Sequence, residues 1–390
     1  YTVQHRPCLE EFTSSTCAPC ASFNASFVPW CNDHEETITL VKYQMNWPGA
    51  GDPYYTEEGG DRRNMYGVSW VPWTNLDGTY TDNNMATIQT MYDASMAEPG
   101  LISMAGAHTL EGTVMDIEVS MVPFTNMEDI TVFIVVFEYL TEENASTNGE
   151  TEFEHVMMKM VPDAFGTEVT FEDRMPVTIS ETVDLAGTNV EEWDDLGVAA
   201  IIQDMGSMYI FQSGYTMEDA EYSNDAELTE IMIDGEALED FSPDVYEYTV
   251  MLEEGTVEVP EVTVTTSDEN AMPIVVPAST LPGTTTVSVF AEDHASYLNY
   301  SITFDIDTDI EENISKAVQV FPNPTTGKVV ISGVEDAQVV VYNTAGAVMG
   351  VYENFDAGSL DLGHLEEGMY FLNILIDNQT ILNKKVSILK

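Results

Sequence analysis

The sequence predicts a chain of several domains, mixed α/β at its N-terminus and all-β beyond it. Three observations carry that expectation. At 390 residues the chain exceeds what one core usually organises, and about three or four domains is the starting estimate. The residues around Cys17-Ala18-Pro19-Cys20 alternate strand-like with helix-like patterns. From Ala107 onward the apolar residues instead fall into closely spaced β-forming runs.

At the N-terminus, Cys8 to Phe12 reads as a strand and Thr13 to Thr16 as the loop feeding a helix that begins at Cys17. That helix is expected to run to about Asn32, with Pro29 bending or ending it. Thr37 to Tyr43 is β-branched and apolar, a second strand. Tyr66-Gly67-Val68-Ser69-Trp70-Val71-Pro72 leads into a strand and a turn at Thr74-Asn75-Leu76-Asp77-Gly78, and Asn83 to Met96 reads as a closing helix.

A C-x-x-C pair serves zinc sites as well as redox sites. A zinc site wants two further ligands at suitable spacing. Cys8 and Cys31 are too far apart in sequence to form a second such pair, and the six His are scattered. The run from Glu11 to Cys20, followed by Tyr66 to Pro72, resembles the redox helix and cis-proline loop of the thioredoxin superfamily. The resemblance implies a thioredoxin-like domain over residues 1–104, with Pro72 beside the cysteines and a cis Val71–Pro72 bond.

Geometry pairs the other two cysteines. A strand from Cys8 to Thr13 rises roughly 17 Å, and a helix from Cys17 to Cys31 returns about 21 Å. Both ends then lie at the bottom of the domain, so disulfides Cys17–Cys20 and Cys8–Cys31 are expected, the alternative being a free buried thiol at Cys31. Cys17 at a helix N-terminus favours a thiolate nucleophile. Against that, Thr16 stands where many redox-active relatives carry Trp, and the surroundings are acidic. Trp47, Trp70 and Trp73 are expected to gather around the cis-proline loop, either packing or gripping an extended peptide or a surface glycan.

Further along, Ala107 to Val122 alternates as one strand would, and Ile130 to Leu140 is strongly β-forming. Phe153 to Val161, Glu168 to Phe171, Met175 to Val183 and Gly197 to Gln212 follow, the spacing of an antiparallel β-sandwich over 105–225. Asp52-Pro53-Tyr54-Tyr55 and the segment His155 to Gly166 are similar to the Omp28-related outer-membrane protein family, a resemblance covering about residues 1–222. Over 226–309, Leu228, Ile231 and Ile233, then Phe241 to Val250 and Thr285 to Asp293, resemble the cadherin-like β-sandwich repeat of bacterial surface proteins. At its end Asp305, Asp307 and Asp309 project to one side of an extended chain, either as calcium ligands or as a solvated acidic linker. No other cofactor is implied.

Val318 to Gly327, with its Phe321-Pro322-Asn323-Pro324, opens the last segment, and Asn343-Thr344-Ala345-Gly346, Gly368 to Leu372 and Lys384 to Lys390 follow. The pattern is closely similar to the type A sorting domain of the type IX secretion system of Bacteroidota. That resemblance implies a small β-sandwich over 316–390 that the export machinery reads. The fold class is thus an α/β thioredoxin-like domain followed by three all-β sandwiches. Thr326-Gly327-Lys328 lacks the earlier glycine of a phosphate loop.

The charge narrows the function. There are 68 acidic and 11 basic residues, a formal net of −57. No Lys or Arg occurs from Asn64 to Met158 or from Met175 to Ser315. Residues 316–390 carry five Lys against eight acids, so −54 falls on the preceding 315 residues. Such a surface repels nucleic acid and anionic membrane. It suits a saline medium, where screening is strong. No apolar run approaches the roughly 20 residues of a membrane helix. The start at Tyr1, without Met or an apolar leader core, fits a mature secreted chain. The expectation is an exported structural and binding protein of the cell surface or extracellular space of a Gram-negative bacterium. Its partners are the type IX secretion machinery and further copies of itself, assembled as filaments. The alternative is an extracellular thiol-disulfide oxidoreductase or isomerase using Cys17, Cys20 and Pro72. No His sits in a motif that would build a hydrolase.

Overall fold

The computed structural model describes residues 1–306, 318–376 and 379–390. It is a mostly β, multidomain architecture with three helices among the described residues. The chain forms two compact units: Tyr1–Tyr248 with Val259–Ser279 and Thr284–Thr303, and Thr249–Glu258 with Thr280–Gly283 and Phe304–Lys390.

In the first unit, strand β1 (Cys8–Thr13) leads to helix α1 (Ala18–Asp33) and returns as β2 (Thr39–Gln44), parallel to β1. Pro29 lies inside α1, and the helix continues past it by a turn. A second helix, α2 (Glu57–Tyr66), was not foreseen from the sequence. Its mean apolarity is low, but Thr56 caps Gly59 N–H at 3.1 Å and Gly67 ends it in the left-handed region. β3 (Trp73–Leu76) and β4 (Thr79–Tyr80) form a hairpin through Asp77-Gly78, both at positive φ, as an Asp-Gly turn favours. Helix α3 (Met85–Met96) follows, capped by the Asn84 side chain.

The expected strand from Ala107 to Val122 is a hairpin. β5 (Ile102–Glu111) and β6 (Val114–Pro123) pair throughout, turning at Gly112. The buried face changes from even positions (Ile102, Gly106, His108) to odd ones (Met115, Ile117, Val119) across that turn, a phase break that the reading as one element passed over. β7 (Met127–Thr141), β8 (Phe153–Val161), β9 (Thr167–Phe171), β10 (Val177–Asp184), β11 (Leu196–Asp204), β12 (Ile210–Tyr215) and β13 (Met217–Glu218) complete two sheets. One has the order β10-β6-β5-β13. The other has nine strands in the order β12-β11-β7-β8-β2-β1-β3-β4, with β9 also on β7.

That nine-stranded sheet corrects the expected border at 104/105. β5 runs across the border, and β8 pairs in parallel with β2 at Val156 and Lys42, so strands from both sides share one sheet. β7 explains why they do. Its even residues Ile130, Val132, Ile134 and Val136 pack on Ile117, Val119 and Met121 of the opposing sheet. Its odd residues Phe133, Val135 and Phe137 pack with Phe12, Val41 and Tyr43 of β1 and β2. A strand buried on both faces reads as a continuous apolar run, and it cannot form the outer wall of a separate sandwich. The edge strand β12 folds back on the middle of the sheet: the Tyr215 hydroxyl accepts from Leu40 N–H of β2 at 2.7 Å, and Ser213 Oγ donates to the Arg6 carbonyl, just before β1, at 2.8 Å.

Beneath this core lies a fully buried charge pair. Arg62 of α2 makes a forked contact with Glu10 of β1, Nε to Oε1 at 2.8 Å and Nη2 to Oε2 at 3.0 Å. Tyr43 and Tyr66 also donate to that carboxylate, and Gln203 of β11 donates to the Tyr66 hydroxyl at 2.8 Å. The guanidinium carbon sits 4.2 Å from the Phe133 ring centre.

The rest of the first unit includes β14 (Leu228–Ile233) paired with β15 (Val262–Thr266), and β16 (Met272–Val276) paired with β17 (Gly283–Phe290). Ile274, Phe290, Met272 and Tyr297 pack on Val122 and Phe124, and Ser103 Oγ lies 2.6 Å from His294 Nε2.

The second unit contains a small two-sheet sandwich. Its strands are β18 (Gln319–Phe321), β19 (Lys328–Ser332), β20 (Ala337–Asn343), β21 (Val348–Phe355), β22 (Gly358–Asp361), β23 (Gly368–Ile376) and β24 (Gln379–Ile388). One sheet runs β18-β19-β22 and the other β21-β20-β23-β24, around Val329, Ile331, Val339, Val341, Leu372, Ile374, Val386 and Ile388.

Removing one partner of a buried ion pair strands the other charge, at a cost of about 3–5 kcal/mol. Arg62→Met is therefore expected to lower unfolding free energy by that amount in urea titration, and adding Glu10→Gln to restore part of it. An Arg62→Met protein as stable as wild type would show that the pair does not hold the sheet.

Candidate functional site

The C-x-x-C pair begins α1. Cys17 is the cap residue, with extended backbone, and Cys20 N–H points at its sulfur, 3.1 Å away. The two cysteines are joined by a disulfide, and the Val71–Pro72 bond is cis. Cys17 Sγ lies 3.6 Å from the Val71 carbonyl oxygen. A disulfide sulfur carries no proton, so that approach is a contact rather than a hydrogen bond. Pro72 follows that contact by one residue.

Access is another matter. Cys17 is 1% exposed and Cys20 fully buried. The segment between β7 and β8 lies across the loop before α1: Thr147 and Asn148 N–H both donate to the Ser15 carbonyl, at 3.1 and 3.0 Å. Asn148 Nδ2 also donates to the Ser14 carbonyl at 3.2 Å, and Glu150 accepts from Asn24 of α1 at 2.9 Å. From the other side Asp52, buried, accepts Ser15 N–H at 2.7 Å and Tyr54 N–H at 2.9 Å, while the Asn144 amide lies 3.4 Å from it. Asp52, Asn144 and Asn148 are the site residues that sequence reasoning missed. The signal present was the Asp52-Pro53-Tyr54-Tyr55 run, whose role needs the contact to Ser15 to be seen. Exchange requires a thiolate to reach a sulfur directly, and Cys17 shows 1% of its surface here.

The expected Cys8–Cys31 disulfide is not formed; both are free buried thiols. The reason is the pleat. Successive β1 side chains face opposite sides of the sheet, so Leu9 packs with Phe27 and Cys31 of α1, while Cys8 packs with Phe12 and Tyr43 on the other side. Both cysteines reach the same end of the domain, as the lengths required, but with the sheet between them. Burial pushes both thiols up from their ordinary value, which keeps them unreactive.

On the α1 side, Lys42 Nζ lies 3.4 Å from Glu11 Oε2, with both side chains buried. Burial pushes the Glu11 carboxyl up, and the Lys42 charge opposes that shift. Neither Glu11 oxygen finds a hydrogen bond, so the pair is a charge contact only.

Trp70, Trp73 and Tyr80 cluster: Trp73 and Tyr80 stack at 4.0 Å between centres, and Trp70 lies 4.7 Å from Trp73. Trp47 packs against the same core cluster as Val71 and Trp73, under the Arg63 guanidinium, 4.9 Å from its ring centre, and the Pro48 carbonyl next to it accepts from Thr16 Oγ1 at 2.6 Å. Asp305 uses its carboxylate to accept Ile306 N–H at 2.9 Å; Asp307 and Asp309 lie outside the described residues. Among the described residues no group of three or more His, Cys, Asp or Glu is placed to hold a metal ion.

In the second unit the Phe-Pro-Asn-Pro run has a defined task. Asn323 accepts Ser387 N–H at 3.0 Å and donates to the Lys385 carbonyl at 2.6 Å, and Thr325 N–H bonds the Ser387 carbonyl at 2.9 Å. The run therefore covers the outer side of β24. Gly327 holds a φ of +120°, and a Cβ there would lie 2.9 Å from Gly363 Cα, so the residue serves close packing rather than a phosphate loop.

Fold and site together define a mostly β, multidomain protein with a sealed N-terminal disulfide and a small C-terminal sandwich. Residues 319–388 match the family of secretion system C-terminal sorting domains. This tail assigns the chain to type IX secretion and to the cell surface or extracellular space. Among solved structures the chain is similar to HBP35 of Porphyromonas gingivalis, at 13% identity and TM-score 0.45, covering 100% of this chain and 99% of that one. A domain of the outer membrane lipoprotein Omp28, also from Porphyromonas gingivalis, is similar at 12% identity and TM-score 0.23, covering 31% of this chain and 92% of that one. A gellan lyase from Bacillus is 31% identical over 96 residues, which are 24% of this chain and only 4% of the lyase.

Thiol chemistry tests the arrangement. Non-reducing peptide mapping is expected to return a Cys17–Cys20 link, with Cys8 and Cys31 alkylated only after denaturation. A Cys8–Cys31 peptide, or rapid alkylation of either thiol in the native protein, would contradict it.

Proposed function

We propose that this chain is a type IX cargo with structural and binding roles at the cell surface or in the extracellular medium. In this reading its thioredoxin-like N-terminal region uses the C-x-x-C disulfide as a staple. The observation that carries the reading is the burial of Cys17 to 1% exposure beneath a hydrogen-bonded segment. An oxidoreductase must present its attacking sulfur to a bulky protein disulfide. Here Asn148 would have to release Ser14 and Ser15 first. The Trp70 and Trp73 surface beside the sealed disulfide is then a face for binding rather than for exchange.

An insulin-reduction assay with dithiothreitol tests it. Wild type and Cys17→Ser are expected to give the same background rate. Turnover comparable to a thioredoxin control, lost in Cys17→Ser, would replace this reading with the oxidoreductase.

Self-association through residues 316–390 belongs to the same reading. The edges of the larger tail sheet differ. β24 carries Lys384 and Lys385 and is covered by the Asn323 to Thr325 segment. β21, the opposite edge, contains no Lys, Arg or Pro, and exposes Val348, Met349 and Val351. Its one charge, Glu353, is bonded to Gln338 at 2.7 Å. An unguarded apolar edge invites another strand. Pairing two tails places their nearly neutral surfaces together and leaves the −54 portions free to stay apart.

Light scattering of the full chain is expected to show mass rising with concentration. Val351→Lys, on the edge, should return it to monomer, while Met369→Lys, exposed on an interior strand, should not. A monomeric wild type at all concentrations would leave the tail as an export signal alone.

A further inference from the structure

The Trp70, Trp73 and Tyr80 cluster has a geometry that packing alone does not require. Asn83 builds its floor: Oδ1 accepts Thr74 N–H at 3.0 Å, and Nδ2 donates to the Pro72 carbonyl at 2.6 Å and reaches the Tyr80 hydroxyl at 3.3 Å. The Trp73 indole N–H is held by Asn75 Oδ1 at 2.8 Å. Against this fixed stack stands Trp70, 51% exposed, its ring 84° to Tyr80 at 6.3 Å and 59° to Trp73. The result is a corner between exposed Trp70 and the half-buried stack of Trp73 and Tyr80.

Elsewhere in this protein cations sit against aromatic rings. Arg6 lies over Tyr215, Lys42 over Phe27, Arg62 over Tyr66 and Phe133, and Arg63 over Trp47, at 4.2 to 5.7 Å. Among the described residues the corner has no such partner. It lies within the stretch from Asn64 to Met158, which contains no Lys or Arg. Exposed Asp82 lies in the turn just after the strand that ends at Tyr80. The formal charge of −57 raises the concentration of any cation at the surface.

We propose that the corner of Trp70, Trp73 and Tyr80 binds an alkylated ammonium ion, the π-faces of the two walls taking the methyl-clothed charge. A flat sugar ring fits a single open platform better than walls near a right angle. A neutral apolar group would gain the rings' contact area but nothing from the acidic field. The site goes beyond the export and staple reading and does not rest on it.

The test uses the full chain in about 1 M NaCl, where the diffuse ionic atmosphere is screened to roughly 3 Å. Choline and its neutral isostere 3,3-dimethylbutan-1-ol are titrated by ligand-observed NMR. Choline is expected to bind saturably, about five- to thirtyfold tighter than the alcohol, the range of a cation–π contact. Trp70→Ala is expected to weaken choline by a similar factor, and Trp70→Phe, which keeps a ring, by less. Circular dichroism checks that both variants fold. Equal affinity for the alcohol would reduce the corner to an apolar patch. Choline binding unchanged in Trp70→Ala would place the cation elsewhere, and no saturable binding would end the proposal.

Discussion

The buried pair of Glu10 and Arg62 is the constraint around which the first unit is organised. Glu10 belongs to the strand that feeds the C-x-x-C helix, and Arg62 to a helix with almost no apolar face. Neither charge can be stripped of water without the other. Their partners Tyr43, Tyr66 and, through Tyr66, Gln203 come from β2, α2 and β11. One carboxylate therefore fixes the spacing between the N-terminal strands and the far limb of the nine-stranded sheet. The apolar side chains of β7 fill the space so defined, and the sheet must coil to enclose them.

The same pair illustrates how this chain spends its few cations. Of the six Lys and Arg in the first 315 residues, Lys42 and Arg62 are buried against Glu11 and Glu10. Arg6 gives its guanidinium to the backbone carbonyls of Glu35, Glu36 and Ile38, and Arg63 covers Trp47. Lys159 and Arg174 pair with Glu58 and Asp173. Hardly any positive charge is left to relieve the surface, so the field outside is more one-sided than composition alone states. That field raises the concentration of cations at the surface, exposed aromatic rings included.

What the sequence revealed depended on how local its causes were. Phe153 to Val161 was legible to the residue, because a strand with β-forming composition and clear ends needs no distant partner to be recognised. α2 was not legible: its stability comes from Thr56, Gly67 and the Arg62 contact, and propensity hardly contributes. The hairpin of β5 and β6 hid because only Gly112 and Thr113 separate its strands, although the buried face changes parity there. The shared sheet hid because the parallel pairing of Val156 with Lys42 spans over a hundred residues of sequence. At the site, Cys17, Cys20 and Pro72 were placed by motif. The Cys8–Cys31 expectation counted lengths correctly and omitted the face on which each side chain emerges.

The seal over the disulfide has the same origin as the sheet. Asn144 and Asn148 reach the C-x-x-C loop because β7 and β8, which flank them, are joined to β2 and β1 in one continuous sheet. A separate sandwich on a linker would leave that loop open to solvent and to partner thiols. By fusing the two, the fold gives up access to Cys17 and gains a fixed backbone around it, with Asp52 and Asn148 holding the carbonyls and N–H groups of Ser14 and Ser15. Trp70 lies next to that rigid ground, one residue from the Val71 carbonyl that touches Cys17. The disulfide is thus tied, through the contact of Cys17 with the Val71 carbonyl, to the same loop that carries the exposed Trp70.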